Sequence, residues 1–126
     1  MGTVLAVTSC YPSRVVLYAA AFHGGWKVEF VKSLALVLEA IANERPRAVF
    51  YDYSTGDVDW ERYCAVVTRM GIPFVLITQK AIDETFLSAL GAGAFYAAGE
   101  PLSSLEILKA LDLAEEVSRS DVRYIR

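Results

Sequence analysis

The 126-residue sequence is short of most groups that announce a specialised chemistry. It holds one histidine, His23, and two cysteines, Cys10 and Cys64. A lone imidazole has no second one to join it in metal or acid–base work. Two cysteines make neither a disulfide framework nor a zinc spacing, which fits a reducing, cytoplasmic setting. Basic residues number 12 against 15 acidic ones, a net charge of −3, and no basic cluster supplies the footprint of a nucleic-acid binder. The apolar stretches break off well short of the ~20 residues a membrane helix needs. Met1-Gly2-Thr3 runs straight into a strand pattern with no basic n-region or cleavage site, so no signal peptide is expected. There is no G-x-G-x-x-G and no Walker A, hence no positive signal for a nucleotide. Cys10 follows the first strand, where small phosphatases keep a nucleophile, but their C-x5-R spacing fails because Val16 stands in the arginine position.

What is present is apolar material in alternating patterns. With 55% hydrophobic and 21% charged residues, the chain can bury a sizeable core as one domain. Continuous apolar runs predict buried parallel strands at Thr3-Val-Leu-Ala-Val7, Ala48-Val-Phe-Tyr51 and Phe74-Val-Leu-Ile-Thr78. A strand-period segment follows Trp26, and a weaker fifth strand spans Ala94-Phe-Tyr-Ala97. Helical stripes fall at Val15, Tyr18, Ala19 and Phe22; at Leu34, Val37, Leu38 and Ile41; and at Trp60, Tyr63, Cys64 and Val67. A shorter helix is predicted over 83–90 with Phe86, Leu87 and Leu90 inward, and a last one through Ile107, Leu108, Leu111 and Ala114. Pro12 suits a first helical turn, Ser33 and Asp59 suit helix caps, Asp57 a turn, and Ser103 with Glu106 a capping box.

Five strands alternating with five helices predict a parallel sheet covered on both faces. Such sheets carry their functional groups beyond the carboxyl ends of the strands. Asp52, closing the central buried strand, is therefore the leading candidate for chemistry. The domain is expected over residues 3–117, with 118–126 a tail or the start of a linker.

Register as well as pattern carries a family resemblance. Val4-Leu-Ala-Val7 followed by Thr8-Ser9 resembles the first strand of a response-regulator receiver domain with its acidic pair. Val49-Phe-Tyr-Asp52 resembles the strand bearing the phosphoacceptor aspartate, and Pro73-Phe-Val-Leu-Ile-Thr78 the strand ending in the switch threonine. Gly93-Ala94 through Glu100-Pro101 is similar to the family's stretch before the last helix. The resemblance implies an α/β, flavodoxin-like (CheY-like) three-layer α/β/α sandwich with a five-stranded parallel sheet of order 2-1-3-4-5. It also implies a two-component signalling role.

The departures decide what kind of receiver this would be. Receivers hold Mg²⁺ with the acidic pair and the phosphoacceptor, and steady the phosphoryl group with a lysine. Here the acidic-pair positions are Thr8 and Ser9, the lysine position is Glu100, and the switch-aromatic position is Ala97. Phosphoryl transfer to a carboxylate rests on positioning and charge neutralisation, and Mg²⁺ is usually held through carboxylates and the phosphate. Glu100 near Asp52 would add repulsion, about 4 kcal/mol for two charges ~4 Å apart at an effective dielectric of ~20. A pseudo-receiver is expected: no enzyme, no cofactor, and signalling by protein contact without Mg²⁺-dependent aspartyl phosphorylation. Asp52 would then be a relic hydrogen-bonded to Thr8, Ser9 or strand-end N–H groups, with Thr78 a local hydroxyl. The alternatives are a conventional regulator phosphorylated on Asp52 with Mg²⁺, and a flavodoxin-like binder of a small ligand near Asp52. Phe95, Tyr96, Leu105 and Leu113 fall on the face of the fourth helix, fifth strand and last helix. That face is the expected site of a homodimer or protein partner, with no direct nucleic-acid or membrane contact.

Overall fold

β1 (Thr3–Val7) and β3 (Ala48–Asp52) lie side by side at the middle of a parallel sheet. β2 (Lys27–Phe30) flanks β1, and β4 (Phe74–Thr78) and β5 (Tyr96–Gly99) continue beyond β3. The order β2-β1-β3-β4-β5 is the 2-1-3-4-5 sheet expected from the sequence. Residues 2–78, 96–99 and 103–124 are described by the structure, a computed structural model; for 96–99 and 117–124 the description is of the backbone. The expected helix over 83–90 lies outside the described residues, as do Phe95 and Glu100.

Alternation along the strands splits the core into two layers. Val4, Ala6, Phe50, Val75 and Ile77 face α1 (Tyr11–His23) and the last helix, α4 (Ser104–Tyr124). Leu5, Val7, Val49, Tyr51, Phe74 and Leu76 face α2 (Leu34–Asn43) and α3 (Trp60–Arg69). Every residue of β3 and β4 is buried, the signature of strands covered on both faces.

Three helices bury the stripes read from the sequence. Leu34 and Val37 of α2, Trp60, Cys64 and Val67 of α3, and Ile107, Leu111 and Ala114 of α4 are all interior. α1 is the correction. Its predicted inward residues Val15, Tyr18 and Phe22 are exposed, the last two at 58% and 71%, while Ser13, Leu17, Ala20 and Ala21 are buried. Apolar side chains surround most of this helix, so periodicity offers two stripes, and close packing against the sheet and α4 selects the smaller one. Tyr18 and Phe22 instead stack on each other at the surface, ring centroids 6.2 Å apart.

The caps also differ in one place. Ser33 Oγ accepts from Leu36 N, and Ser103 Oγ from Glu106 N, as side-chain caps do. Asp59 occupies the N-cap of α3, but its side chain makes no capping bond. α4 continues to Tyr124, through the stretch expected as a tail.

Candidate functional site

β1 and β3 are neighbours although β2 and its helices come between them in the chain. Their carboxyl ends therefore meet at the crevice where the strand order reverses. Val7 pairs in register with Tyr51, and Asp52 with Ile77 of β4. Thr8, one residue past β1, is thereby carried alongside Asp52.

Asp52 is 1% exposed. Thr8 Oγ1 donates to its Oδ2 at 2.7 Å. Ser54 donates twice to Oδ1, from its backbone N–H at 3.0 Å and its hydroxyl at 2.7 Å. A carboxylate offers about four lone-pair sites, and protein donors occupy three of them. Thr8 is held in turn: its hydroxyl oxygen accepts from Cys10 N at 3.1 Å.

The turn that follows is as constrained as the strand. Asp52 caps a 3-10 turn, Tyr53–Thr55, which Gly56 closes at φ 85, a left-handed backbone that suits glycine. Tyr51 and Tyr53, the neighbours of Asp52 in sequence, both contact the Trp60 ring, with centroids 6.3 and 6.0 Å away. Tyr51 Oη accepts from Asp57 N at 2.9 Å, and Asp57 Oδ2 accepts from Leu34 N, the first residue of α2, at 3.4 Å. Burial pushes the Tyr51 phenol up to about 12, against the lowering effect of the Asp57 N–H, with the Asp57 and Asp52 carboxylates adding to the rise. Burial, then the Glu61 carboxylate, likewise pushes the Cys64 thiol up to about 12.

The other sequence candidates are scattered around this cluster. Ser9 is exposed and makes no hydrogen bond to Asp52. Thr78 is buried at the end of β4, one step past Ile77, the register partner of Asp52. Ala97 pairs with Leu76 through the backbone of β5, and Tyr96 with Val75. Leu105 and Leu113 of α4 are 65% and 38% exposed. Ser54 is the participant that sequence reasoning missed. Its signal was the Asp-x-Ser spacing of an Asx turn, in which the carboxylate accepts from the N–H two residues on.

The donor set does not suit a divalent cation. One carboxylate, already bonded to three donors, stands among neutral hydroxyls, whereas Mg²⁺ asks for an octahedron of oxygens free to turn toward it. No group of three or more His, Cys, Asp or Glu among the described residues could hold a metal. No helix among them is long and apolar enough to cross a membrane.

No family model and no curated protein matches the chain in sequence. Solved structures do match in shape. The receiver domain of the TMAO respiratory system response regulator TorR superposes with a TM-score of 0.83 at 16% identity, over 93% of this chain and 99% of that one. Chemotaxis response regulator CheY4 of Vibrio cholerae gives 0.77 at 19% identity, covering 90% and 98%. The receiver domain of NtrX from Brucella abortus gives 0.78 at 21%, again over 90% and 98%. Against a longer NtrX chain the match covers 97% of this chain and 30% of that one. This chain has the α/β fold of response-regulator receiver domains.

Proposed function

We propose that this chain is a receiver-like signalling module that acts by protein contact, without Mg²⁺-dependent phosphorylation of Asp52 and without an enzymatic activity of its own. One observation carries the reading. Asp52 has both carboxylate oxygens engaged by Thr8 and Ser54, and almost no surface. A carboxylate that is to attack phosphorus needs a free oxygen and cations to neutralise the incoming phosphoryl charge. Here the oxygens are occupied by neutral donors, and the acidic-pair positions hold Thr8 and Ser9. Asp52 serves as the keystone of a turn.

Incubation with acetyl phosphate and Mg²⁺, followed by intact-mass measurement, tests this. The expected result is no phosphoryl adduct at millimolar donor. A labile adduct that disappears in Asp52→Asn would establish the conventional regulator instead.

The contact surface we propose is formed by β5 and the outer side of α4, with a second copy or a protein partner as occupant. Leu105 and Leu113 lie eight residues apart on α4 and both face solvent. That spacing keeps them on one side of the helix. In light scattering, Leu105→Glu combined with Leu113→Glu should convert any dimer to monomer. An unchanged mass would remove this face from the proposal.

A further inference from the structure

A cleft of about 430 Å³ opens beside the Asp52 cluster, on the β2 side of the crevice. Thr8 forms the wall the two regions share. The rim carries two cations from separate elements: Arg14, in the first turn of α1, and Lys32, just past β2. Both are exposed, and neither forms an ion pair with a described residue. No acidic side chain lines the cleft among the described residues.

Three further features point the same way. The Arg14 guanidinium lies over the Phe30 ring, 4.6 Å from its centroid. Contact with that face restrains the guanidinium, whose N–H groups can make a two-toothed bond to an oxyanion. Thr55 lines the cleft, and its Oγ1 is buried with no hydrogen-bond partner among the described residues. A buried hydroxyl left unpaired is costly, and a turn of the Thr55 side chain toward a ligand oxygen would relieve it. The start of α1, whose N-cap Cys10 gives no side-chain cap, lies between the lining residues Ser9 and Arg14 in the chain and adds positive character nearby. By contrast, α2 begins with its first-turn amides bonded to Ser33 Oγ and to the Asp57 carboxylate. The nearby negative charge is thus spent on α2, and that of Asp52 on Thr8 and Ser54.

We propose that this cleft is an anion-binding site for a small molecule carrying a phosphate monoester on an apolar body. A phosphate monoester bears between one and two negative charges near neutral pH and so matches two cations that have no ion pair among the described residues better than a carboxylate ligand would. Phe30 and Val31 supply an apolar wall for the remainder of the ligand. The site is independent of the contact-signalling role, since it involves neither Mg²⁺ nor chemistry at Asp52.

Amide-resolved NMR titration of the whole chain provides the test, with phenyl phosphate, inorganic phosphate and phenol as probes. Phenyl phosphate should give saturable shifts centred on Ser9, Arg14, Lys32 and Thr55. Inorganic phosphate should shift the same amides at higher concentration, and phenol should leave them unmoved. Arg14→Ala with Lys32→Ala should weaken phenyl phosphate at least about tenfold, as loss of charge-assisted contacts implies. Both residues are exposed, so the variant keeps its fold, checked by its unperturbed spectrum elsewhere. Equal shifts with phenol, equal affinity for inorganic phosphate, undiminished binding by the double variant, or no saturation by 10 mM phenyl phosphate (roughly the weakest specific affinity worth the name) would each overturn the proposal.

Discussion

Asp52 and the Arg14–Lys32 pair flank the same threonine, yet the fold treats their charges in opposite ways. The carboxylate is sunk into the sheet end and satisfied by three neutral donors. The cations stand at the surface with no carboxylate beside them among the described residues. A buried ion pair between them would have cost desolvation on both sides. Hydrogen bonding to hydroxyls and an amide offsets the carboxylate's own desolvation, spares the cations theirs and leaves them for something else. One side of Thr8 is structure, and the other is an open valence.

The contrast can be broken by substitutions on each side. Asp52→Ala should have the largest effect, a loss of about 3 kcal/mol in urea unfolding, because Thr8 and the Ser54 amide would be left without their acceptor. A neutral or stabilising result would mean that the buried charge is a burden the cluster merely tolerates. Thr8→Val removes one donor to Asp52 and the acceptor of Cys10 N, and should cost about 1–2 kcal/mol.

Alkaline pH probes the buried side without mutation there. The Tyr51 phenol ionises near 10 in the unfolded chain and is pushed up to about 12 when folded. Its contribution is complete below pH 10 and is lost as pH rises toward 12, since the unfolded state releases its proton first. At pH 11, Tyr51 should account for about 1 kcal/mol of lost stability, measured as a shallower alkaline decline in Tyr51→Phe than in the wild type. Parallel declines would show that the ring oxygen is open to water. Cys64, raised from 9 to about 12, starts its own decline one pH unit earlier. The smallest effect belongs to the open side: Arg14→Ala with Lys32→Ala should change stability by less than about 0.5 kcal/mol. A cost similar to that of Asp52→Ala would erase the distinction.

The sheet was legible because β1, β3 and β4 are apolar on both faces, a pattern that admits few alternatives. Three of the four described helices were legible because the largest side chains of each, such as Leu34 and Val37 of α2, repeat along the face that packs on the sheet. α1 was not, since its circumference is apolar nearly all round, and fit against the sheet rather than total hydrophobicity chose the buried side. At the site, the place of Asp52 followed from its position at a strand end, but its bond to Ser54 depended on which turn formed. The cleft was hidden by sequence distance: Arg14, Lys32 and Thr55 come together only because β1 pairs with both β2 and β3.

The bond from Leu34 N to Asp57, with Asp57 N itself bonded to Tyr51 Oη, links the loop after β3 to the first turn of α2. Opening of the loop is therefore expected to loosen the helix end with it. In hydrogen–deuterium exchange, the amides of Asp57 and Leu34 should behave as one cooperative unit, and Tyr51→Phe should speed the exchange of both.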